Sequence, residues 1–121
     1  MGRVLIVDDN APFRSVARAL LESGGFLVVG DAATGAEALA AVGRVDADVV
    51  LLDIGLPDMD GFSVCTALRR TAPGVSVVFC SVRDADQYGD AVALSCAAGF
   101  LPKSSLSAGA LAAILGQADR R

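Results

Sequence analysis

Asp8-Asp9, Asp53, Ser81 and Lys103 are the residues of this chain whose types and spacing point to chemistry. Asp8-Asp9 follows the apolar run Val4-Leu5-Ile6-Val7, and Asp53 follows Val49-Val50-Leu51-Leu52. Ser81 closes the run that ends Val77-Val78-Phe79-Cys80, and Lys103 comes just after Phe100-Leu101. A carboxylate ending a buried strand is costly unless it is partnered. Carboxylates gathered at one place raise one another's pKa. A hard divalent cation such as Mg²⁺ relieves that conflict, because it takes carboxylate, carbonyl and water oxygens. It also lets an anionic phosphoryl donor approach. One carboxylate then acts as nucleophile, the cation and Lys103 neutralise the equatorial oxygens, and Ser81 donates a hydrogen bond to one of them. Taken singly, each residue has a plainer reading: Asp8-Asp9 as a loop and helix cap, Ser81 as a satisfied polar strand end, Lys103 as a solvated surface charge. Their joint placement at four strand ends is what argues for a site.

That placement depends on the elements between them. Short continuous apolar runs predict strands over residues 4–7, 26–29, 49–52, 75–80 and 100–101, and their lack of alternation predicts cover on both faces. Amphipathic patterns lie between the runs. In the first, Phe13, Val16, Ala17, Leu20 and Leu21 follow the helical period, with Asn10 as cap and Gly24-Gly25 as stop. The second opens with Thr34 and has Glu37 three residues on, a capping box. The third runs from about Gly61 to Thr71, before Pro73, and the fourth spans residues 84–96. The last begins near Ser107 with Leu111, Ile114 and Leu115 inside. Five strands and five helices in strict alternation predict an α/β fold, a doubly wound five-stranded parallel sheet of flavodoxin-like order 2-1-3-4-5. In that order the first and third strands are neighbours at the switch point, so Asp8, Asp9 and Asp53 converge.

Composition limits the alternatives. The 121 residues fit one domain, 1–121, and 54% hydrophobic residues suffice for a core. No apolar run is long enough for a membrane span, and the strand pattern starts too early for a signal peptide, so a cytoplasmic location is expected. Net charge is -4, and the only paired arginines are Arg69-Arg70 and Arg120-Arg121, which argues against direct nucleic-acid binding. Cys65, Cys80 and Cys96 lack metal-ligand spacing, the chain has no histidine, and the three are expected to be small buried hydrophobes rather than disulfide or metal partners. Lys103 is the single lysine among ten basic residues, which marks it as a position where arginine would not serve.

The stretches Val4-Leu5-Ile6-Val7-Asp8-Asp9-Asn10 and Asp48-Val49-Val50-Leu51-Leu52-Asp53-Ile54-Gly55-Leu56-Pro57-Asp58-Met59-Asp60-Gly61, with Ser81 and Lys103, resemble bacterial two-component response-regulator receiver domains, in order and in spacing. The resemblance implies that Asp53 is the phosphoacceptor. It implies that Asp9, Asp53 and the backbone carbonyl of Gly55 bind Mg²⁺ (or Mn²⁺ in its place) directly, and that Asp8 acts mostly through a metal-bound water. Ser81 would bind the phosphoryl group and move toward it, Lys103 would contact a phosphoryl oxygen, and Phe100 would turn inward as the aromatic switch. The implied donor is a histidine kinase or phosphotransfer protein. The implied output face is helix 4–strand 5–helix 5, for a phosphorylation-dependent homodimer or an effector. Phe13-Arg14, Gly30-Asp31-Ala32-Ala33 and Gly99-Phe100-Leu101-Pro102-Lys103-Ser104 most resemble receivers that precede a LuxR-type (NarL/FixJ-like) helix-turn-helix domain, which these residues do not include.

Three departures bear on kinetics: Gly55 brings no side chain, Val82 is larger than the alanine usual after the serine, and Arg83 adds a long cation. Ser104 stands after the lysine where many receivers carry proline, and Pro102 precedes it. Three other functions share parts of the pattern. An aspartate-nucleophile phosphatase needs a second acid two residues after Asp53, where Gly55 stands. A flavin or nucleotide binder needs free N–H groups after the first strand, where Asp8-Asp9-Asn10-Ala11-Pro12 is acidic. A pseudo-receiver scaffold has lost its site residues, whereas this chain keeps them. The expected role is therefore a phosphoacceptor rather than a turnover enzyme.

Overall fold

The computed structural model describes residues 2–119, with side chains through residue 117; Arg120-Arg121 lies outside it. Five parallel strands stand in the order β2-β1-β3-β4-β5, as the alternation predicts. In chain order the elements are β1 (Arg3–Val7), α1 (Ala11–Ser23), β2 (Leu27–Ala32), α2 (Gly35–Val42), β3 (Val49–Leu52), α3 (Gly61–Thr71), β4 (Ser76–Ser81), α4 (Ala91–Leu94), β5 (Gly99–Pro102) and α5 (Ala108–Asp119).

Side chains alternate across the three central strands and build two cores. Val4, Ile6, Val49, Leu51, Val78 and Cys80 join Ala17 and Leu21 of α1 and Leu111 of α5 on one face. Leu5, Val7, Val50, Leu52, Val77 and Phe79 join Ala38 of α2 and Val64, Cys65 and Leu68 of α3 on the other. Each fully buried Val, Leu or Phe contributes about 1.5–3 kcal/mol, which locks the register Val4↔Val49 through Val7↔Leu52. That register carries on: Asp53 N–H donates to Val7 O at 2.9 Å and Asp8 N–H to Ala32 O at 3.0 Å. Asp8 and Asp53 are thus set side by side by backbone pairing.

The cap residues stand where expected, but the capping box at Thr34 is only half formed. Asn10 Oδ1 accepts from Phe13 N–H at 2.8 Å, and the chain leaves α1 through Gly25 at φ 100°. Thr34 Oγ1 accepts from Glu37 N–H, but Glu37 reaches back to Ala33 N–H rather than to Thr34. Asp60 caps α3 through Ser63 N–H at 2.8 Å.

Four expectations need correction. Val16 and Leu20 face outward at 55% and 39% exposure, because α1 meets the sheet along the narrow Phe13, Ala17, Leu21 stripe and they lie one residue round from it. β2 extends to Ala32, past the expected end at Val29. A register shift between Val4 and Leu5 absorbs one residue, and the edge position leaves Asp31 open to solvent. The expected fourth helix over 84–96 is broken into a 3₁₀ turn (Ala85–Tyr88) and one turn of α4, separated by Gly89 at φ 63°. Neither piece buries a residue, so no packed face holds a longer helix together. Cys96 is exposed, not buried, for the same reason: it follows this loosely packed segment.

Candidate functional site

The carboxyl ends of β1, β3, β4 and β5 bring the expected residues together. Asp8, Asp9 and Asp53 each offer an oxygen within 4.8 Å of the others. Asp8 and Ser81 are buried at 1% and 2% exposure, and Asp9 is open to solvent. Lys103, the first residue after β5, places Nζ 2.6 Å from Asp8 Oδ2 and 3.9 Å from Asp53 Oδ2. Its ammonium also lies 4.3 Å from the centre of the Phe13 ring, a cation–π contact that aims it.

Each acid is held by different means. Asp8 Oδ1 accepts from Asn10 N–H at 2.9 Å, while Arg14 Nη1 donates to the Asp8 carbonyl at 2.7 Å and Arg14 Nε pairs with Asp31 Oδ2 at 3.6 Å. Phe13 and Arg14, subfamily markers in the sequence, are thus structural parts of the site. Asp53 Oδ1 accepts a long bond, 3.4 Å, from Gly55 N–H. Burial, and then the Asp8 charge, push the Asp53 carboxyl above its ordinary value, against the opposing pull of Lys103 and nearby backbone N–H groups. Two further acids of the Asp53 loop are structural: Asp60 caps α3, and Asp58 caps α2 by accepting from Gly35 and Ala36 N–H at 2.8 and 3.0 Å. Those two bonds hold the Asp58 carboxyl below its ordinary value.

The donor set fits a hard divalent cation. Among the described residues, buried Asp8 Oδ2 has Lys103 Nζ as its ion-pair partner and accepts no other hydrogen bond. Three carboxylates offset by a single ammonium leave negative charge that a hard divalent cation would balance through their oxygens.

Gly61 explains how close α3 can come. A Cβ there would meet Asp53 O and Ile54 Cα at 2.7 Å, and Gly61 N–H donates to Ile54 O at 2.7 Å. Gly55 is the opposite case: a Cβ would meet nothing within 4 Å. A cavity of about 330 Å³ opens over Asp53, lined by Ile54, Gly55, Ser81, Val82, Arg83, Tyr88 and Lys103. Val82 stands at its rim, 82% exposed.

One residue of the site escaped the sequence reading. Ser81 Oγ lies 2.6 Å from Tyr88 Oη and accepts from Arg83 N–H at 3.2 Å. The Tyr88 ring is 6.2 Å from Phe100 and 5.9 Å from Phe62, which stacks edge-on against Phe79 at 5.0 Å. Tyr88 therefore stands between Ser81 and Phe100, which were expected to couple directly. Its signals were weak: it is the only tyrosine, seven residues after Ser81, within a segment read as a helix.

A family model of the response regulator receiver domain matches residues 4–115. The chain belongs to that family. As a receiver domain it is a component of two-component systems. It is 38% identical over 104 residues to the nitrate/nitrite response regulator protein NarP of Escherichia coli (strain K12), covering 85% of this chain and 48% of that protein. It is 39% identical over 89 residues to a protein-glutamate methylesterase/protein-glutamine glutaminase of Hahella chejuensis, covering 74% of this chain and 25% of that protein. The signal receiver domain of NarL from Mycobacterium tuberculosis superposes with a TM-score of 0.84 at 37% identity, over 99% of this chain and 98% of that one. The chain spans about half, or less, of the curated relatives it matches.

Proposed function

We propose that this receiver takes one phosphoryl group on Asp53 from a phosphohistidine donor, a histidine kinase or phosphotransfer protein, in a reaction that requires Mg²⁺ or Mn²⁺. The supporting observation is the cluster of Asp8, Asp9 and Asp53 with Lys103 Nζ between Asp8 and Asp53. Asp9, Asp53 and the Gly55 carbonyl would hold the cation, with Asp8 beside it. When bound, the cation neutralises the clustered carboxylates and the incoming phosphoryl oxygens. An Asp53 oxygen attacks phosphorus; the new O–P bond forms as the P–N bond to the donor imidazole breaks, and that imidazole, already protonated on its other ring nitrogen, leaves as the neutral ring. Lys103 shifts from its pairing with Asp8 toward a phosphoryl oxygen, and the Ser81 hydroxyl donates to another.

The rest of the reading follows from what surrounds Ser81. When its hydroxyl leaves Tyr88 for the phosphoryl group, Tyr88 and Phe100 lose their present packing and the face of α4, β5 and α5 rearranges. We place a phosphorylation-dependent homodimer or effector contact there, and transcription through a helix-turn-helix domain outside these residues as the output. The whole chain, 1–121, would act as one receiver domain in the cytoplasm, without direct nucleic-acid contact and with no turnover beyond its own phosphorylation and dephosphorylation. No described helix is long and apolar enough to cross a membrane. Gly55, Val82 and Arg83 would tune how long the phosphoryl group survives.

Intact mass after acetyl phosphate or phosphoramidate tests the reading. One phosphoryl should add with Mg²⁺, none with chelator and none in Asp53→Asn. Labelling that survives full chelation, or that persists in Asp53→Asn, would sink it.

A further inference from the structure

The sequence gives no metal-ligand spacing to its three cysteines, yet the fold brings two of them together. Cys65, on the inner face of α3, is buried, and Cys96, just after α4, is exposed. Their sulfurs lie 3.0 Å apart, and the Cys96 thiol also points at the Cys65 carbonyl, 3.5 Å away. Both line a cavity of about 380 Å³ between α3 and α4, shared with Phe62, Thr66, Leu94 and Ser95, so a small reagent can reach the pair. Cys80, by contrast, is buried in the other core.

We propose that Cys65 and Cys96 form a reversible dithiol–disulfide site that ties the segment after Ser81 to α3. A disulfide needs about 2.05 Å between sulfurs, roughly 1 Å closer than they now lie. Cys96 can supply that shift because it sits in a bend with no buried anchor on α4. The order of events follows from access. Burial and the neighbouring Cys96 push the Cys65 thiol up to about 12, so it is not the first to attack. The Cys96 thiolate attacks one sulfur of a low-molecular-weight disulfide and expels one thiolate. Cys65 sulfur then attacks Cys96 sulfur, releasing the second external thiolate, which takes up the Cys65 proton. Two protein thiols are oxidised to one disulfide while the external disulfide is reduced to two thiols, and excess external thiol reverses the sequence.

The bridge would span residues 31 apart, enclosing Ser81, Val82, Arg83 and Tyr88. Closing a loop of that length raises the melting temperature by roughly 5–15 °C. It also restrains the segment that must move if Ser81 is to leave Tyr88, an effect that rests on the Asp53 reading above.

The test treats reduced, full-length protein with oxidised glutathione and maps cysteine-containing peptides without reduction. A Cys65–Cys96 cross-link is expected in the parent and in Cys80→Ser, absent in Cys96→Ser, with the rise in melting temperature reversed by dithiothreitol. A lasting glutathione adduct on Cys96 without a cross-link, or pairing through Cys80, overturns the site. Oxidised protein should then label on Asp53 several-fold more slowly than reduced protein, and equal rates overturn the restraint. Failure of the reduced form to label at all would count against Asp53 alone, since the cross-link is read separately.

Discussion

Tyr88→Phe isolates one hydrogen bond of the switch. Ser81 Oγ is buried and now serves Tyr88 Oη at 2.6 Å and Arg83 N–H at 3.2 Å. Moving the Ser81 hydroxyl toward a phosphoryl group on Asp53 would carry it away from Tyr88 Oη, whichever of the two now donates. A neutral hydrogen bond of this kind contributes about 0.5–1.5 kcal/mol net, equivalent to about a 2- to 10-fold bias against the engaged position. Deleting the tyrosine hydroxyl removes that bias, while Arg83 N–H still satisfies Ser81. Phosphorylation of Asp53 by a small-molecule donor at saturating Mg²⁺ should therefore speed up about 2- to 10-fold in Tyr88→Phe. The melting temperature should fall by several degrees, so rates are compared well below both transitions. The same substitution made in Ser81→Ala should change the labelling rate little, because the partner is already gone; the double-mutant cycle reads that coupling. An unchanged or lower rate in Tyr88→Phe, or an equal acceleration without Ser81, refutes the mechanism.

Other outcomes follow from the same geometry. The folded state holds the Asp53 proton more tightly than the unfolded chain, so in chelator its contribution to stability is full below the unfolded pKa of about 4 and is lost as pH rises through the raised folded value. Melting scans against pH should show that loss in the parent and not in Asp53→Asn, and millimolar Mg²⁺ should remove it by binding only the folded cluster. Gly61→Ala forces a methyl against Asp53 O and Ile54 Cα and should cost about 1–3 kcal/mol in denaturant melts; a cost near zero would mean that α3 is free to back away. Val82 and Arg83 line the cavity over Asp53, and on the proposed reading water would reach the phosphorus through it. Val82→Ala or Arg83→Ala should therefore hasten decay of purified phosphoprotein, and unchanged or slower decay in both would reject their role.

Where each piece of the site was legible depended on what positions it. Asp8, Asp53, Ser81 and Lys103 sit where strands end, and strand ends in a parallel sheet are placed by apolar runs such as Val4–Val7 and Val49–Leu52 that the sequence displays openly. In a doubly wound sheet of order β2-β1-β3-β4-β5, the ends of neighbouring strands converge, whatever the loops do. The caps were legible for a similar reason. Asn10 to Phe13 and Thr34 to Glu37 are contacts three residues apart, so the information is local.

Tyr88 and Cys96 were not legible because both depend on a segment that its own residues only loosely determine. Residues 84–96 carry a helical pattern, but three of the apolar side chains there are alanines, and none of the segment's residues becomes buried. With little area to bury, Gly89 at φ 63° turns the chain and resets the direction of everything after it. Tyr88 is then held by Ser81, Phe62 and Phe100, and Cys96 by Cys65, all contacts from other elements. This weakness also suits the segment to switching. It is tied to the rest of the molecule by a hydroxyl pair, a few ring contacts and a thiol pair, so moving one hydroxyl can shift its balance, whereas a helix anchored like Leu21 of α1 would have to empty a filled core to move.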